Sequence, residues 1–395
     1  MSFDFDTVIN RRHTDSAKWT QIGMDPLPDD VLPLWVADMD FRSPESVIQA
    51  LRDRVDEGIF GYAMGSPLLR SAIQTWLAKQ QNWQVNPDDI HYLPNLVSGL
   101  TASVRAYTDP GDNVVTLVPV YPPFLAAARV SDRELREVPM PTQEVNGVLH
   151  YEIDFDALEK AIDSRTRLLT LCSPHNPVGR VFTRAELERL AELCLKHDLY
   201  VCSDEIHGDL LLDRQHIPLA SISPEIAQRT ITLSAPSKTF NIPGLGFGFA
   251  VIPNKDMLDK FNKVTAMFLS HPGPISYTGG LAAYTDNSGW LEALLAYLRG
   301  NRDYLVETIT TTLPQIKVTN PEGTYLAWLD CRALQVPEAH PQAFFLKHAK
   351  VALNYGGDFG TGYEGFVRVN FGCPRSVLVE ALDRMRAAVL ALESA

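Results

Sequence analysis

The feature that most constrains the fold of this chain is a series of short apolar runs, each followed by a polar segment. Three such runs are predicted strands: 167–172, 200–203 and 230–233. Helical patterns separate them, and strands that alternate with helices favour a mainly parallel sheet with helices on both faces. Ligands bind beyond the carboxyl ends of the strands in such sheets. The sequence therefore predicts an α/β fold with Asn176, Asp204 and Lys238, which follow these runs, in one ligand site.

The pattern changes from about residue 290, which predicts a smaller α+β domain. Further predicted strands are 113–118, 247–252, 325–330 and 366–371. Predicted helices are 98–107, 183–197, 290–313, 342–350 and 376–392. Thr183 and Glu186 form a sequence capping box at the start of the second helix. We expect three parts: an N-terminal segment, 1–50, that is largely irregular and packs with the small domain, a large domain, 51–288, and the small domain, 289–395.

The three polar residues that follow the strands suit one kind of chemistry. A lysine can form a Schiff base with an aldehyde, an aspartate can keep a pyridinium nitrogen protonated, and an asparagine can hydrogen-bond a phenolic oxygen. Pyridoxal 5′-phosphate needs all three of these functions from a protein. Lys238, Asp204 and Asn176 can supply the first, second and third of them. They predict a site for that cofactor.

Composition excludes several other classes of protein. The 395 residues carry 35 basic and 48 acidic side chains, a net charge of −13, which argues against nucleic acid or an anionic membrane as the main partner. The five cysteines lack metal-ligand spacing and are expected to be buried thiols, and we predict no metal site. No signal peptide and no membrane-spanning run are evident, which favours the cytoplasm.

Longer motifs resemble one known family over nearly the whole chain. They are Lys18-Trp19, Pro33–Phe41, Gly61-Tyr62, Val120–Phe124, Ser173–Arg180, Ser203–His207, Ser237–Leu245, Glu322–Trp328 and Gly365–Phe371. The chain resembles fold-type I pyridoxal phosphate enzymes of the class I/II aminotransferase group. Within that group it is similar to the MalY/PatB-type cystathionine β-lyases, or C–S lyases, because Trp35–Phe41 and Ser203–His207 are typical of that branch.

The resemblance implies roles at the cofactor. Lys238 would carry it and act as the base, Asp204 would pair with its ring nitrogen, and Tyr121 would stack on its ring. Tyr121 could instead be a packed turn aromatic. Asn176, before a cis proline bond, would donate to the phenolic oxygen, and His207 would contact it, unless it is a core histidine.

Phosphate and substrate contacts follow from the same resemblance. Phosphate would bind at a helix start formed by Ser98, Gly99 and Leu100, and at the Ser237 hydroxyl. Tyr62 resembles a tyrosine that reaches the phosphate from the partner subunit, which implies a homodimer; ordinary packing is its alternative. The residues that would meet the amino-acid substrate are Arg368, which would bind the α-carboxylate, and the backbone of Val36, Ala37 and Asp38.

Two positions depart from the wider family pattern. Many relatives have serine where this chain has Ala235, and many aminotransferases have arginine where it has Gly246. Cofactor phosphate binding must then depend on other donors, such as the helix start and Tyr62.

The resemblance implies a β-eliminating C–S lyase that cleaves L-cystathionine or another L-cysteine S-conjugate to thiol, pyruvate and ammonia. An aminotransferase is the first alternative, because it uses the same residues and differs in whether turnover requires a keto acid. A regulatory protein that binds a transcription factor is the second, and that role could coexist with catalysis.

Overall fold

A computed structural model describes residues 3–23, 25–266 and 268–394 of the chain. The strands, numbered along the chain, are β1 (Gln21–Ile22), β2 (Asp25–Pro26), β3 (Leu32–Pro33), β4 (Ile90–Leu93), β5 (Asn113–Val118), β6 (Glu134–Pro139), β7 (Thr142–Val145), β8 (Val148–Tyr151), β9 (Thr166–Cys172), β10 (Tyr200–Asp204), β11 (Thr230–Ser234), β12 (Gly248–Val251), β13 (Lys317–Thr319), β14 (Leu326–Asp330), β15 (Val351–Ala352), β16 (Asn354–Tyr355) and β17 (Phe366–Asn370). The α-helices are α1 (Ala17–Thr20), α2 (Glu45–Glu57), α3 (Pro67–Gln81), α4 (Leu96–Tyr107), α5 (Pro122–Arg129), α6 (Phe155–Ala161), α7 (Arg184–Lys196), α8 (Pro224–Ala227), α9 (Lys255–Thr265), α10 (Pro274–Tyr284), α11 (Trp290–Thr312), α12 (Pro341–Phe344) and α13 (Arg375–Glu393).

A seven-stranded sheet forms the framework of the larger part of the chain, in the order β4-β12-β11-β10-β9-β5-β6. The strands β11, β10, β9, β5 and β6 pair in parallel, and β12 is antiparallel to both of its neighbours. The predicted mainly parallel α/β fold is therefore confirmed, with one reversed strand that the apolar pattern of 247–252 did not reveal.

Both faces of this sheet are covered. Phe249 and Val251 on β12 pack into one hydrophobic cluster, and Ala250 between them packs into another. All six residues of β5 and all five of β11 are buried. Strands buried on both faces read as continuous apolar runs, which is why the central strands could be found from the sequence.

A second, six-stranded sheet has the order β16-β17-β14-β13-β8-β7. Its hairpin β7–β8 comes from 142–151, and β8 pairs in parallel with β13. Near the N-terminus, β3 pairs in parallel with β15. The division into 1–50, 51–288 and 289–395 stays a prediction.

The helix predictions hold with two exceptions. Thr183 and Glu186 form the expected capping box on α7, and α11 and α13 match their predicted spans within one residue. The region 342–350 is not one α-helix, because α12 ends at Phe344 and a single wider turn of π-helix, Phe345–Ala349, follows. The start of 98–107 is also wrong, since α4 begins at Leu96 after its cap, Asn95.

All five cysteines are free and buried, as predicted. Within 3–23, 25–266 and 268–394, no helix combines the length and the apolar character needed to cross a membrane.

Candidate active site

The loops that follow β9, β10 and β11 enclose a cavity of about 220 Å³. It is lined by Ala37, Pro94, Asn95, Leu96, Val97, Tyr121, Cys172, Asn176, Asp204, Ile206, His207, Ser237, Lys238, Pro243, Gly246 and Phe247. Parallel strands bring these loops to the same edge of the sheet. Seven residues singled out from the sequence therefore meet in one place, at the edge where the strand pattern predicted a ligand.

Lys238 lies four residues beyond the end of β11 and projects into the cavity. Its Nζ donates a hydrogen bond to Ala37 O at 2.7 Å. Burial lowers the pKa of Lys238 to about 8, with a contribution from nearby Arg368, while Asp38 and Asp204 act in the opposite direction. A buried lysine with a lowered pKa can supply a neutral amine near neutral pH, as a nucleophile or a base requires.

Asp204 is the last residue of β10 and lines the same cavity. Its Oδ1 accepts a hydrogen bond from Ile206 N at 3.1 Å, and burial raises its pKa to about 7. The next residue, Glu205, points away as expected, because its carboxylate accepts from Ser203 Oγ at 2.8 Å and contacts His216 Nε2 at 2.8 Å. Asp204 is thus the carboxylate of this strand end that a cationic ligand group could meet.

Asn176 and Arg368 form a pair beside the cavity. Arg368 Nη1 donates to Asn176 Oδ1 at 3.0 Å, and Nη2 donates to Trp35 O at 3.0 Å and to Asn354 Oδ1 at 2.6 Å. Burial lowers the pKa of Arg368 to about 10. The peptide bond between Asn176 and Pro177 is cis, as the resemblance implied.

Tyr121 and His207 complete the polar lining. Tyr121 caps α5, and its backbone N donates to Asn176 O at 3.1 Å. His207 is buried, and burial lowers its pKa to about 3. Its Nδ1 has no hydrogen-bond partner among the described residues, while its ring meets Tyr325 edge to face at 6.1 Å. A buried ring nitrogen without a partner fits a ligand contact better than a satisfied core histidine.

The start of α4 differs from the prediction in a way that matters for the cavity. Asn95 Oδ1 accepts from Ser98 N at 2.8 Å, and Gly99 N bonds back to Asn95 O. The residues that line the cavity are Leu96 and Val97, whose N–H groups belong to the first turn and have no intrahelical acceptor. The available donors therefore come earlier than Ser98, Gly99 and Leu100, and Gly99 and Leu100 pack in the interior.

The segment 36–38 reaches the cavity through Ala37. Asn370 Nδ2 donates to Val36 O at 2.6 Å and to Asp38 O at 2.6 Å, and Tyr325 Oη donates to Ala37 O at 2.9 Å. The motifs around 325 and 370 carry part of the family resemblance, but that resemblance implies no role for these two side chains. Their only sequence signal was membership of those motifs.

Tyr62 does not reach the cavity of its own chain, because its side chain is fully exposed. Gly246 lines the cavity and has a left-handed backbone conformation, with φ +63°. Ala235, three residues before Lys238, is buried. Among the residues that the structure describes, Lys238 is the one cation in the cavity lining, so an anionic ligand group would depend mainly on neutral donors.

The arrangement offers an amine, a buried carboxylate and a fixed guanidinium around one cavity. It can hold an aromatic aldehyde at the amine, a ring nitrogen at the carboxylate and a small carboxylate near the guanidinium. Proton transfer at a carbon held between these groups is the chemistry that it supports.

Comparison with known proteins agrees with this geometry. The family model described as aminotransferase class I and II matches residues 29–385. Cystathionine beta-lyase PatB of Bacillus subtilis is 40% identical over 389 residues, 98% of this chain and 100% of that protein. Cystalysin of Treponema denticola, solved with pyridoxal 5′-phosphate, superposes with a TM-score of 0.93 at 35% identity, covering 99% of this chain and 100% of that one. The pyridoxal phosphate-bound C–S lyase of Staphylococcus hominis superposes with a TM-score of 0.91 at 31% identity, covering 99% of each chain. The chain therefore belongs to the aminotransferase class I and II family, with the fold-type I architecture predicted from its motifs.

Proposed function

We propose that this protein is a pyridoxal phosphate-dependent C–S β-lyase that acts on L-cystathionine or another L-cysteine S-conjugate. The observation that carries the proposal is the cavity in which Lys238, Asp204 and Asn176 meet, beside the guanidinium of Arg368. Relatives named as cystathionine β-lyases and solved C–S lyases support the same reaction.

The residues present fit the cofactor. Asp204 is a buried carboxylate with a raised pKa, and an N–H cation beside it would relieve the cost of its burial. His207 Nδ1 lacks a partner among the described residues, and Leu96 and Val97 of the first turn of α4 line the same cavity. Lys238 and Asp204 would therefore hold the aldehyde and the ring nitrogen, with Tyr121 against the ring. Asn176 and His207 would meet the phenolic oxygen, and Leu96, Val97 and Ser237 the phosphate.

Bound pyridoxal phosphate supplies an electron sink for the electron pair left on the substrate's α-carbon. The neutral Nζ of Lys238, once free of the aldehyde, would take the α-proton, and the electron pair would then form a second bond between the α- and β-carbons. The bond between the β-carbon and sulfur breaks, and the thiolate leaves and takes a proton. The released unsaturated amino acid reacts with water to give pyruvate and ammonia.

Arg368 binds the substrate's α-carboxylate in this proposal. Asn176, Trp35 O and Asn354 accept from Nη1 and Nη2 and hold the guanidinium in place. Its Nε has no hydrogen-bond partner among the described residues and, with the second Nη1 hydrogen, is left for a carboxylate. The backbone of Val36, Ala37 and Asp38 would border the substrate, since Ala37 lines the cavity and its carbonyl accepts from Lys238.

A homodimer in the cytoplasm is part of the proposal. The segment 59–64 exposes Ile59, Phe60, Tyr62 and Met64, an apolar group that a monomer would leave in water. A second copy would cover it, and the resemblance implies that Tyr62 would then reach the phosphate of the partner's cofactor. That donor would compensate for the neutral residues Ala235 and Gly246.

The deciding experiment is pyruvate formation from L-cystathionine by the purified holoprotein with no keto acid added. We expect sustained release of pyruvate and thiol in equal amounts, abolished in Lys238→Ala and unchanged in Lys255→Ala, which alters an exposed lysine. If pyruvate does not form but amino transfer begins once a keto acid is supplied, the protein is an aminotransferase and the lyase proposal is wrong.

A further inference from the structure

Five consecutive backbone carbonyls next to Lys238 each accept hydrogen bonds from side chains far away in the sequence. We call residues Trp35–Met39 the carbonyl strip. Its donors, in order, are Arg368 to Trp35 O, Asn370 to Val36 O, Lys238 and Tyr325 to Ala37 O, Lys18 and Asn370 to Asp38 O, and Arg11 and Asn241 to Met39 O. Two of these donors, Lys238 and Arg368, belong to the proposed chemistry, so the strip lies against both ends of the substrate site.

Lys18 supports the strip at Asp38. Its side chain is fully buried, and Nζ donates to Asp40 Oδ2 at 2.7 Å and to Asp38 O at 3.1 Å. The same Nζ lies 3.6 Å from Asp38 Oδ1. One ammonium therefore joins the backbone and the carboxylate of Asp38 to the buried carboxylate of Asp40.

Arg11 and Trp19 complete the cluster. Arg11 Nη2 contacts Asp38 Oδ2 at 2.9 Å, and Nη1 contacts Asp40 Oδ1 at 3.1 Å. Trp19 Nε1 also donates to Asp40 Oδ1, at 2.8 Å. Two cations thus hold two carboxylates, one of which, Asp38, is adjacent to the residue whose carbonyl accepts from Lys238.

A buried ion pair of this kind is a weak contributor to net stability. Removing an ammonium and a carboxylate from water costs about as much as their attraction returns, and apolar side chains of the same volume often do as well. What an apolar pair cannot supply is a fixed direction for the Asp38 carbonyl and compensation for its carboxylate. The cluster is therefore better explained by geometry than by stability.

We propose that Lys18 is a positioning residue, which fixes the carbonyl strip so that Ala37 O holds the amine of Lys238 and the Asp38 carboxylate stays compensated beside the site. The inference rests on the proposed role of Lys238. This role gives a reason why the motifs at 18–19 and 33–41, which lie outside the seven-stranded sheet, occur in the same chain as the cofactor-site residues.

The charge balance gives the direction of the effect. The groups that face Lys238 are the anions Asp38 and Asp204, the cation Arg368, and His207 and Tyr325. Removing the Lys18 ammonium leaves Asp38 and Asp40 with less compensation, which makes the potential near Lys238 more negative. A more negative potential favours the protonated state, so proton loss from the lysine–cofactor unit moves to higher pH.

The test is the Lys18→Met holoenzyme, compared with Lys18→Arg and with Arg302→Met. Arg302 has a buried guanidinium paired with Asp213 and no contact with the strip, so its variant controls for loss of a buried ion pair. We expect Lys18→Met to lower kcat about tenfold to a hundredfold, as small misplacements of reacting groups do. We also expect the pH midpoint of the visible absorption band, measured without substrate, to rise. Lys18→Arg should keep most of the kcat and nearly the absorption midpoint of the unaltered protein. Arg302→Met should be less stable but should show an unchanged kcat and an unchanged midpoint.

Unchanged kcat and absorption midpoint in a folded Lys18→Met protein would overturn the proposal and leave the lysine a purely structural role. If that variant does not fold, Arg11→Ala decides, since Arg11 is partly exposed and contacts the same two carboxylates. A midpoint that rises in Arg11→Ala supports the proposal, and an unchanged one overturns it. Failure of the lyase proposal remains distinguishable, because it is judged from pyruvate formation by the unaltered protein, whereas the midpoint needs no substrate.

Discussion

Asn176 Oδ1 accepts a hydrogen bond from Arg368 Nη1 at 3.0 Å, and this one contact fixes the orientation of the amide. A guanidinium can only donate, so the oxygen must face Arg368 and the Nδ2 donor is left for another partner. The cofactor's phenolic oxygen needs such a donor. Arg368, which we propose binds the substrate carboxylate, therefore also orients Asn176, which we propose binds the cofactor.

Arg368→Lys should lower kcat/KM about a hundredfold, or roughly 2.7 kcal/mol. Lysine keeps the charge but cannot hold Asn176, Asn354 and the substrate carboxylate in one plane. Steady-state kinetics with L-cystathionine would measure the loss. The matched control is Arg332→Lys, which changes an exposed arginine and should stay within about twofold of the unaltered protein. An equal loss in both variants would contradict the role of Arg368.

Asp204 should make the cofactor-free protein less stable as the pH rises. Burial raises its pKa from 3.8 to about 7. Between these two pH values the carboxyl group is therefore protonated in the folded state and ionised in the unfolded state. Stability must then fall with increasing pH across about pH 4–7, by up to about 4 kcal/mol, and level off above that. Urea unfolding at several pH values would measure it. Asp204→Asn should flatten the profile, and a profile that stays steep in that variant would assign the effect to other groups.

The acidic limb of kcat should report the amine of Lys238, whose pKa burial lowers to about 8. The base acts when neutral, so kcat rises with pH through this value. Asp38 raises the pKa of Lys238, so Asp38→Asn should move the limb about 0.5–1 pH unit lower. Asp29→Asn, which changes a carboxylate with 98% side-chain exposure, should leave the limb in place. A limb that moves upward in Asp38→Asn would contradict the assignment.

The sequence predicted the site well where one strand end determines the position of a side chain. Asp204 ends β10, and Lys238 and Asn176 follow β11 and β9 within four residues, so the parallel pairing alone brings them together. The central strands were found because burial on both faces makes them continuously apolar. The reversed strand β12 was identified, but its direction was not, because direction is set by pairing rather than by composition.

What the sequence did not reveal depends on long-range contacts. The carbonyl strip is held by Asn370, Tyr325 and Lys18, which lie up to 334 residues away from it in the chain. The predicted helix start at 98 is two residues late, because α4 begins at Leu96 with Asn95 as its cap. This error is local, because an asparagine directly before the apolar residues of a helix is itself a sequence signal for an N-cap.

Gly99 illustrates how packing positions the start of α4. A Cβ there would lie 2.8 Å from Leu93 Cδ1 and 3.3 Å from Leu233 Cδ2. Gly99→Ala should therefore push the helix away from the sheet and cost about 1–2 kcal/mol, despite the better helix propensity of alanine. Urea unfolding would measure the loss, and cofactor titration should show weaker binding. Gly244→Ala, where a Cβ meets nothing within 4 Å, is the control. A Gly99→Ala protein as stable as the original would show that the two leucines can move aside.

The apolar segment 59–64 should be covered by a second copy of the chain. Phe60 is 57% exposed and Tyr62 is fully exposed, and a charge placed in their midst would oppose association. We expect Phe60→Asp to shift the protein from dimer to monomer in analytical ultracentrifugation and to weaken cofactor binding, because Tyr62 could no longer reach the partner's phosphate. Val130→Asp is the matched control, since Val130 is 59% exposed but lies outside the segment, and it should remain dimeric with full cofactor. Tyr62→Phe separates the two effects: it keeps the apolar surface and should stay dimeric while it binds the cofactor less tightly. A monomeric unaltered protein that binds the cofactor fully would contradict the role of Tyr62 and require the phosphate to be held by its own chain alone.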